Sequence, residues 1–164
     1  MKKPTVTNYK TDTYYPKVTQ AMNEELLQSN FVTAIQVFQR IQLLDRANVE
    51  KWRKGQIPYL EKVIQCNLGK ASRILWLMRF HAHDLNLKPS STDYKRKTKS
   101  GKLSLRFSKT GDKNLEEAYS RHFIKVGKAK NKPEAPEHPN QPPLTPEKEY
   151  SSPPSKSASI LDNS

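Results

Sequence analysis

The stretch Lys51-Trp52-Arg53-Lys54 sets an indole among three cations. Such a segment can bury its ring while the charged heads stay in water, which suits a negatively charged partner. At helical spacing Val49 and Trp52 fall on one side, and Arg46, Asn48, Lys51 and Lys54 lie around the other. Amide, ammonium and guanidinium groups of this kind bond base edges or phosphates. A second basic group follows: Lys95, Arg96 and Lys97, then Lys102, Arg106 and Lys109, within a span from Lys88 to Lys113 that holds nine basic residues against two acidic ones. Folded as two strands joined at Ser100-Gly101, it would set the first three cations opposite the second three, placed to follow a phosphate backbone. With Arg53 these make eleven candidate contacts. The plainer alternatives are a core tryptophan beneath a solvated lysine face, and an edge hairpin whose lysines block strand-to-strand association.

Catalytic constellations are weaker. His81 and His83 stand two apart, which on a helix sends their side chains about 200° from one another and makes poor metal-ligand spacing. Cys66 has no base that the sequence can place beside it. Gly69-Lys70 and Gly101-Lys102 lack both the earlier glycine and the following hydroxyl of a phosphate loop. The expectation is a protein that is not an enzyme and needs no cofactor or metal.

The elements that must position the cations read as mainly α, a compact multi-helix domain built on a long central helix over residues 67–85. Leu68, Ala71, Leu75, Met78, Ala82 and Leu85 recur there at spacings of three and four and share one face. Residues 17–29 form a helix with Val18, Ala21, Met22 and Leu26 inward, and 31–44 a second with Ala34, Ile35, Phe38 and Ile41 inward. Neither can be stable alone, so both must pack on the central helix. Asp45 is placed to cap the helix 46–54, Gly55 to close it and Pro58 to begin another over 58–65. Residues 88–91 read as a break before the basic β-hairpin over 92–108, whose second strand alternates Leu103, Leu105 and Phe107 with polar residues. Asn114 with Glu117 resembles a capping box opening a last helix, with Leu115, Ala118, Tyr119 and Phe123 on one face.

Three regions result: an extended N-terminal arm over 1–16, a single basic domain over 17–128, and a disordered Pro/Ser-rich tail over 129–164 that holds eight of the twelve prolines and lacks the apolar residues to offset ordering. Before Asn131 there are 26 Lys and Arg against 11 Asp and Glu, a formal +15; from it onward three against five, −2. The excess therefore belongs to the folded part, which favours a polyanion. Cys66 is alone, so no internal disulfide can form and a reducing, cytoplasmic setting is expected. The longest apolar run, Ile74 to Met78, is too short to cross a bilayer. The proline-rich tail could also carry a short motif for a protein partner.

Val49, Trp52, Gly55 and Pro58, each three apart, resemble the close of a phage-repressor helix-turn-helix over about 25 residues. The first half departs from that pattern: the family's small residue falls on Gln39 and its turn glycine on Leu43. The resemblance implies a recognition helix with Val49 and Trp52 inward and Asn48, Lys51 and Lys54 toward a major groove. It implies a DNA-binding protein that could act as a transcriptional regulator, with DNA preferred to RNA. The alternative is a non-enzymatic adaptor that presents the same basic face to RNA, a ribonucleoprotein or an acidic protein.

Overall fold

The computed structural model describes residues 3–127, so the proline-rich tail over 129–164 lies outside the described residues. Within them the chain makes five α-helices and two small antiparallel sheets: α1 (Tyr15–Gln28), β1 (Phe31–Thr33), α2 (Ala34–Arg40), α3 (Arg46–Arg53), α4 (Leu68–Asp84), β2 (Lys88–Ser91), β3 (Lys95–Thr98), β4 (Gly101–Ser104), α5 (Lys113–Ser120) and β5 (Arg121–Ile124). The expected mainly α architecture is thereby corrected to a mixed one. Strands β1, β5 and β2 form one sheet, with β5 in the middle, and β3 with β4 forms the hairpin.

The central helix forms as its spacing predicts, with Asn67 accepting from Lys70 N and Ala71, Leu75, Met78 and Ala82 buried. Its ends do not bury: Leu68 is 54% exposed and Leu85 40%. Ile74, Leu77 and His81 are buried too, so the helix is covered over more than one stripe, with α1 packed along it.

Three segments become strands because of partners far along the chain. Phe31-Val32-Thr33, expected as the start of a helix, pairs Phe31 with Ile124 and Thr33 with His122. Thr33 then opens α2 by a capping box, its hydroxyl accepting from Gln36 N while Gln36 Oε1 accepts from Thr33 N at 2.8 Å. The last helix stops at Ser120, and Phe123, expected on its face, lies in β5. Residues 88–91, expected as a break, form edge strand β2, where Pro89 is tolerated because an edge leaves amides unpaired.

Smaller corrections concern caps. Asp45 precedes α3 without a side-chain cap bond, and α5 is capped by Asp112, accepting from Leu115 N at 3.0 Å, in place of Asn114. The expected helix over 58–65 contracts to a 3-10 turn, Leu60–Val63. The N-terminal arm is not extended: Tyr9–Thr11 makes a 3-10 turn, Tyr9 stacks on Phe80 at 4.9 Å and donates to Asp84, and Asp12 pairs with Arg73 at 2.7 Å.

Helices α2, α3 and α4 end alike. In each the third residue past the helix returns its amide five residues back, Leu43 to Phe38, Gln56 to Lys51 and Leu87 to Ala82. The residue before it turns left-handed: Gln42 at φ 64°, Gly55 at 80° and Asn86 at 57°.

Candidate nucleic-acid interface

Trp52 fixes α3. Its ring is fully buried, 5.0 Å from that of Phe107 and 5.7 Å from that of Tyr94, and its Nε1 donates to Arg106 O at 2.7 Å. Phe107 stacks on Tyr119 at 5.6 Å, and Tyr119 lies 6.2 Å from Phe38, so a run of rings joins α3 and the hairpin's base to α5 and α2. Arg106 O also accepts from Leu60 N at 3.2 Å, and Leu105 N donates to Tyr94 O at 2.7 Å. Both strands of the hairpin are thus anchored at the root.

Carboxylates hold the segment that follows. Glu116 accepts from the amides of Phe107 and Ser108 and from the Ser108 hydroxyl, while Glu61 accepts from Lys109 N and the Tyr119 hydroxyl. Burial first, and then the Glu61 carboxylate, push the Tyr119 phenol far above its ordinary range. Burial does the same to Tyr94, with the Arg53 guanidinium pulling the other way.

The hairpin also reaches the far end of α3. Arg96 lies against Gly55, where a Cβ would fall 2.6 Å from the Arg96 Cζ. That contact and the positive φ both require glycine. Lys54 precedes Gly55, and Lys95 and Lys97 flank Arg96, so the two basic segments expected from the sequence meet.

The cations do not all share one face. Helix α3 has three sides: Trp52 toward the hairpin, Lys51 and Lys54 exposed, and Arg46, Val49, Glu50 and Arg53 along a groove bordered by α2. Asn48 is half-buried. In the hairpin, Lys95 faces Ser104 and Lys97 faces Lys102 across the strands, while Arg96 pairs with Leu103 on the opposite face, toward Gly55. The three expected to line one strand are therefore divided. Arg106 donates through Nη2 to Ser108 O and Lys109 O, bracing its own loop. Lys109 is exposed.

Lys95 pairs with Asp93 at 3.1 Å. Among the described residues Lys51, Lys54, Lys97 and Lys102 have no carboxylate partner, and two like charges directly opposite on a sheet repel.

Sequence reasoning missed Tyr94, Phe107 and the Glu61 and Glu116 carboxylates as the parts that fix this unit. The alternation of Leu105 and Phe107 was the one available signal, since it marks an inward face. Phe107 is buried and Leu105 half-buried, but Leu103 is 51% exposed because the hairpin projects past the core there.

The histidines have separate commitments. His81 Nε2 lies 3.0 Å from Asn23 Oδ1, and the buried His122 stands between the Thr92 and Tyr94 hydroxyls at 3.3 and 2.8 Å. Among the described residues no three His, Cys, Asp or Glu side chains are grouped to hold a metal, and no helix is long and apolar enough to cross a membrane. Burial pushes the Cys66 thiol up, with Lys70 opposing it. Comparison with protein-family models, with curated proteins and with solved structures finds no match for this chain.

Proposed function

We propose that the protein binds duplex DNA with the exposed lysines of α3 and the outward lysines of the β3–β4 hairpin acting as one unit. The observation that carries this reading is the double clamp between the two elements, Trp52 Nε1 on Arg106 O and Arg96 on Gly55. A cationic helix and a cationic ribbon held at fixed separation can meet successive phosphates without losing further conformational freedom on binding. Lys51, Lys54, Lys97 and Lys102, without a carboxylate partner among the described residues, add a second reason, because phosphates would neutralise them.

The helix-turn-helix comparison belongs to the same proposal, with the turn rebuilt. Gln42, one position before the expected glycine site at Leu43, carries the left-handed conformation. In this reading α3 takes its support from the hairpin's aromatic root, and Lys51 and Lys54 present the recognition side.

Titration of the full chain against duplex DNA at several salt concentrations tests it. Neutralising about four to six phosphates gives log K against log salt a slope near −4 to −5. No binding at low salt, or a flat salt response, refutes the proposal. Displacement of bound DNA by structured RNA at lower concentration would move the reading to RNA.

A further inference from the structure

We propose that the groove between α2 and α3 binds a ligand through a compact oxyanion, a phosphate or carboxylate group, received by Arg53. The site is separate from the outward lysines. Its α3 wall is the stripe Arg46, Val49, Glu50 and Arg53, spaced so that all four share one side of the helix. The opposite wall is α2 with Gln36 and Gln39, and the open groove between them offers about 980 Å³, ample for a small organic molecule.

Arg53 is the anomaly there. Among the described residues its Nε and Nη1 are buried without a hydrogen-bond partner, and the guanidinium lies over the face of the Tyr94 ring, with Cζ 6.0 Å from the centroid. An aromatic face attracts a cation but accepts few of its N–H groups, so the guanidinium is left incompletely satisfied. Three other partly buried arginines have carboxylates: Arg40, on the same groove, holds Glu24 and Glu25, Arg73 holds Asp12 and Arg121 holds Glu117, while Arg96 packs on Gly55. Glu50 shares the Arg53 stripe and Asp45 borders it, yet neither makes an ion pair with Arg53. A planar, five-donor guanidinium beside an open groove is suited to a two-oxygen acceptor, and a modest turn of its head toward the groove would present that edge. Arg46, about two turns earlier on the same stripe and without an ion-pair partner among the described residues, adds a second positive charge. The side-chain amides of Gln36 and Gln39 supply donors and acceptors for the rest of the ligand.

Thermal unfolding of the full chain tests this, using inorganic phosphate and acetate as probes against chloride at matched ionic strength. The expected result is an upward shift of a few degrees in phosphate for the unsubstituted chain, a smaller shift for Arg53→Lys and none for Arg53→Met. In chloride alone Arg53→Met should melt at the same temperature or higher, because it removes a buried, unsatisfied charge. Equal phosphate shifts in all three proteins, no shift in the unsubstituted chain, or a collapse of Arg53→Met in chloride together with an undiminished shift for Arg53→Lys would overturn it. A duplex DNA titration in phosphate separates the sources: binding unchanged beyond the ionic-strength effect assigns the groove to a free small ligand, and competition dependent on Arg53 assigns it to a backbone phosphate. Because this second arm is read on Arg53 and the DNA proposal on the lysines, either can fail alone.

Discussion

The half of the molecule around α4 and the half around α3 and its hairpin treat charge in opposite ways. Around α1 and α4 three arginines are neutralised in place, Arg73 by Asp12, with side chains 12% and 5% exposed, Arg40 by Glu24 and Glu25, and Arg121 by Glu117, while Arg79 lies over the Trp76 ring. Around α3 the same chemistry is left open, with Lys95–Asp93 the one ion pair in the hairpin among the described residues. Rigidity there comes from rings and backbone, namely Trp52, Tyr94, Phe107 and the carbonyl of Arg106. A positive charge paired inside the fold is unavailable to a partner, and one left outside is available. The net charge of the chain therefore says less about function than where it goes unpaired.

The sharpest way to break the contrast is to remove its aromatic anchor. Trp52→Ala should destabilise the protein by about 3–5 kcal/mol, read from urea unfolding, through the lost ring contacts and the cavity left behind. Trp52→Phe should lose only about 1 kcal/mol, since Arg106 O keeps Leu60 N as a donor. On the other side, Arg73→Met strands the buried Asp12 carboxylate and should also cost about 3–5 kcal/mol while leaving the salt slope of DNA binding unchanged. The pair Lys97→Gln and Lys102→Gln should do the reverse. It should lower that slope by about one per lysine and raise stability by about 0.2–1 kcal/mol through relief of the cross-strand repulsion. If R73M weakened binding as much as the lysine pair does, the division between the halves would not hold.

Titration gives a gentler comparison. Burial, together with the Asp84 carboxylate, pushes the Tyr9 phenol from its ordinary 10.0 up to about 12, and burial raises Tyr94 in the other half. In each case the folded chain holds the proton more tightly than the unfolded one. Their stabilisation is thus complete below about pH 10 and falls as pH rises through 10 toward the folded value. Tyr9→Phe or Tyr94→Phe should each flatten that alkaline limb. His81 has the opposite sign: burial lowers its pKa against the opposing pull of Asp84, so its contribution is present above the ordinary 6.5 and is lost as pH falls below it. Unfolding measured from pH 5 to 11 would resolve both limbs.

Helix α4 was legible because it obeys a local rule. Its apolar period, the Asn67 cap and the helix 46–53 with its glycine stop depend on residues within a turn or two of each other. Strands β1, β2 and β5 were not legible, since each is only three or four residues long and β5 continues a helical pattern without a stop signal. The Thr33 to Gln36 capping box was readable and would have moved the start of α2 to its right place.

Of the candidate site, the sequence by itself determined the supply of cations, the inward turn of Trp52 and the need for glycine at 55, because composition, helical period and backbone sterics are properties of neighbouring residues. Only the tertiary structure decided which cations are spent. Arg106 braces its own loop, Arg96 covers Gly55 and Arg53 lies over Tyr94 beside a groove, while Lys51, Lys54, Lys97 and Lys102 find no carboxylate among the described residues. The partner of a charge is set by which distant segment folds against it, and no local pattern encodes that distance.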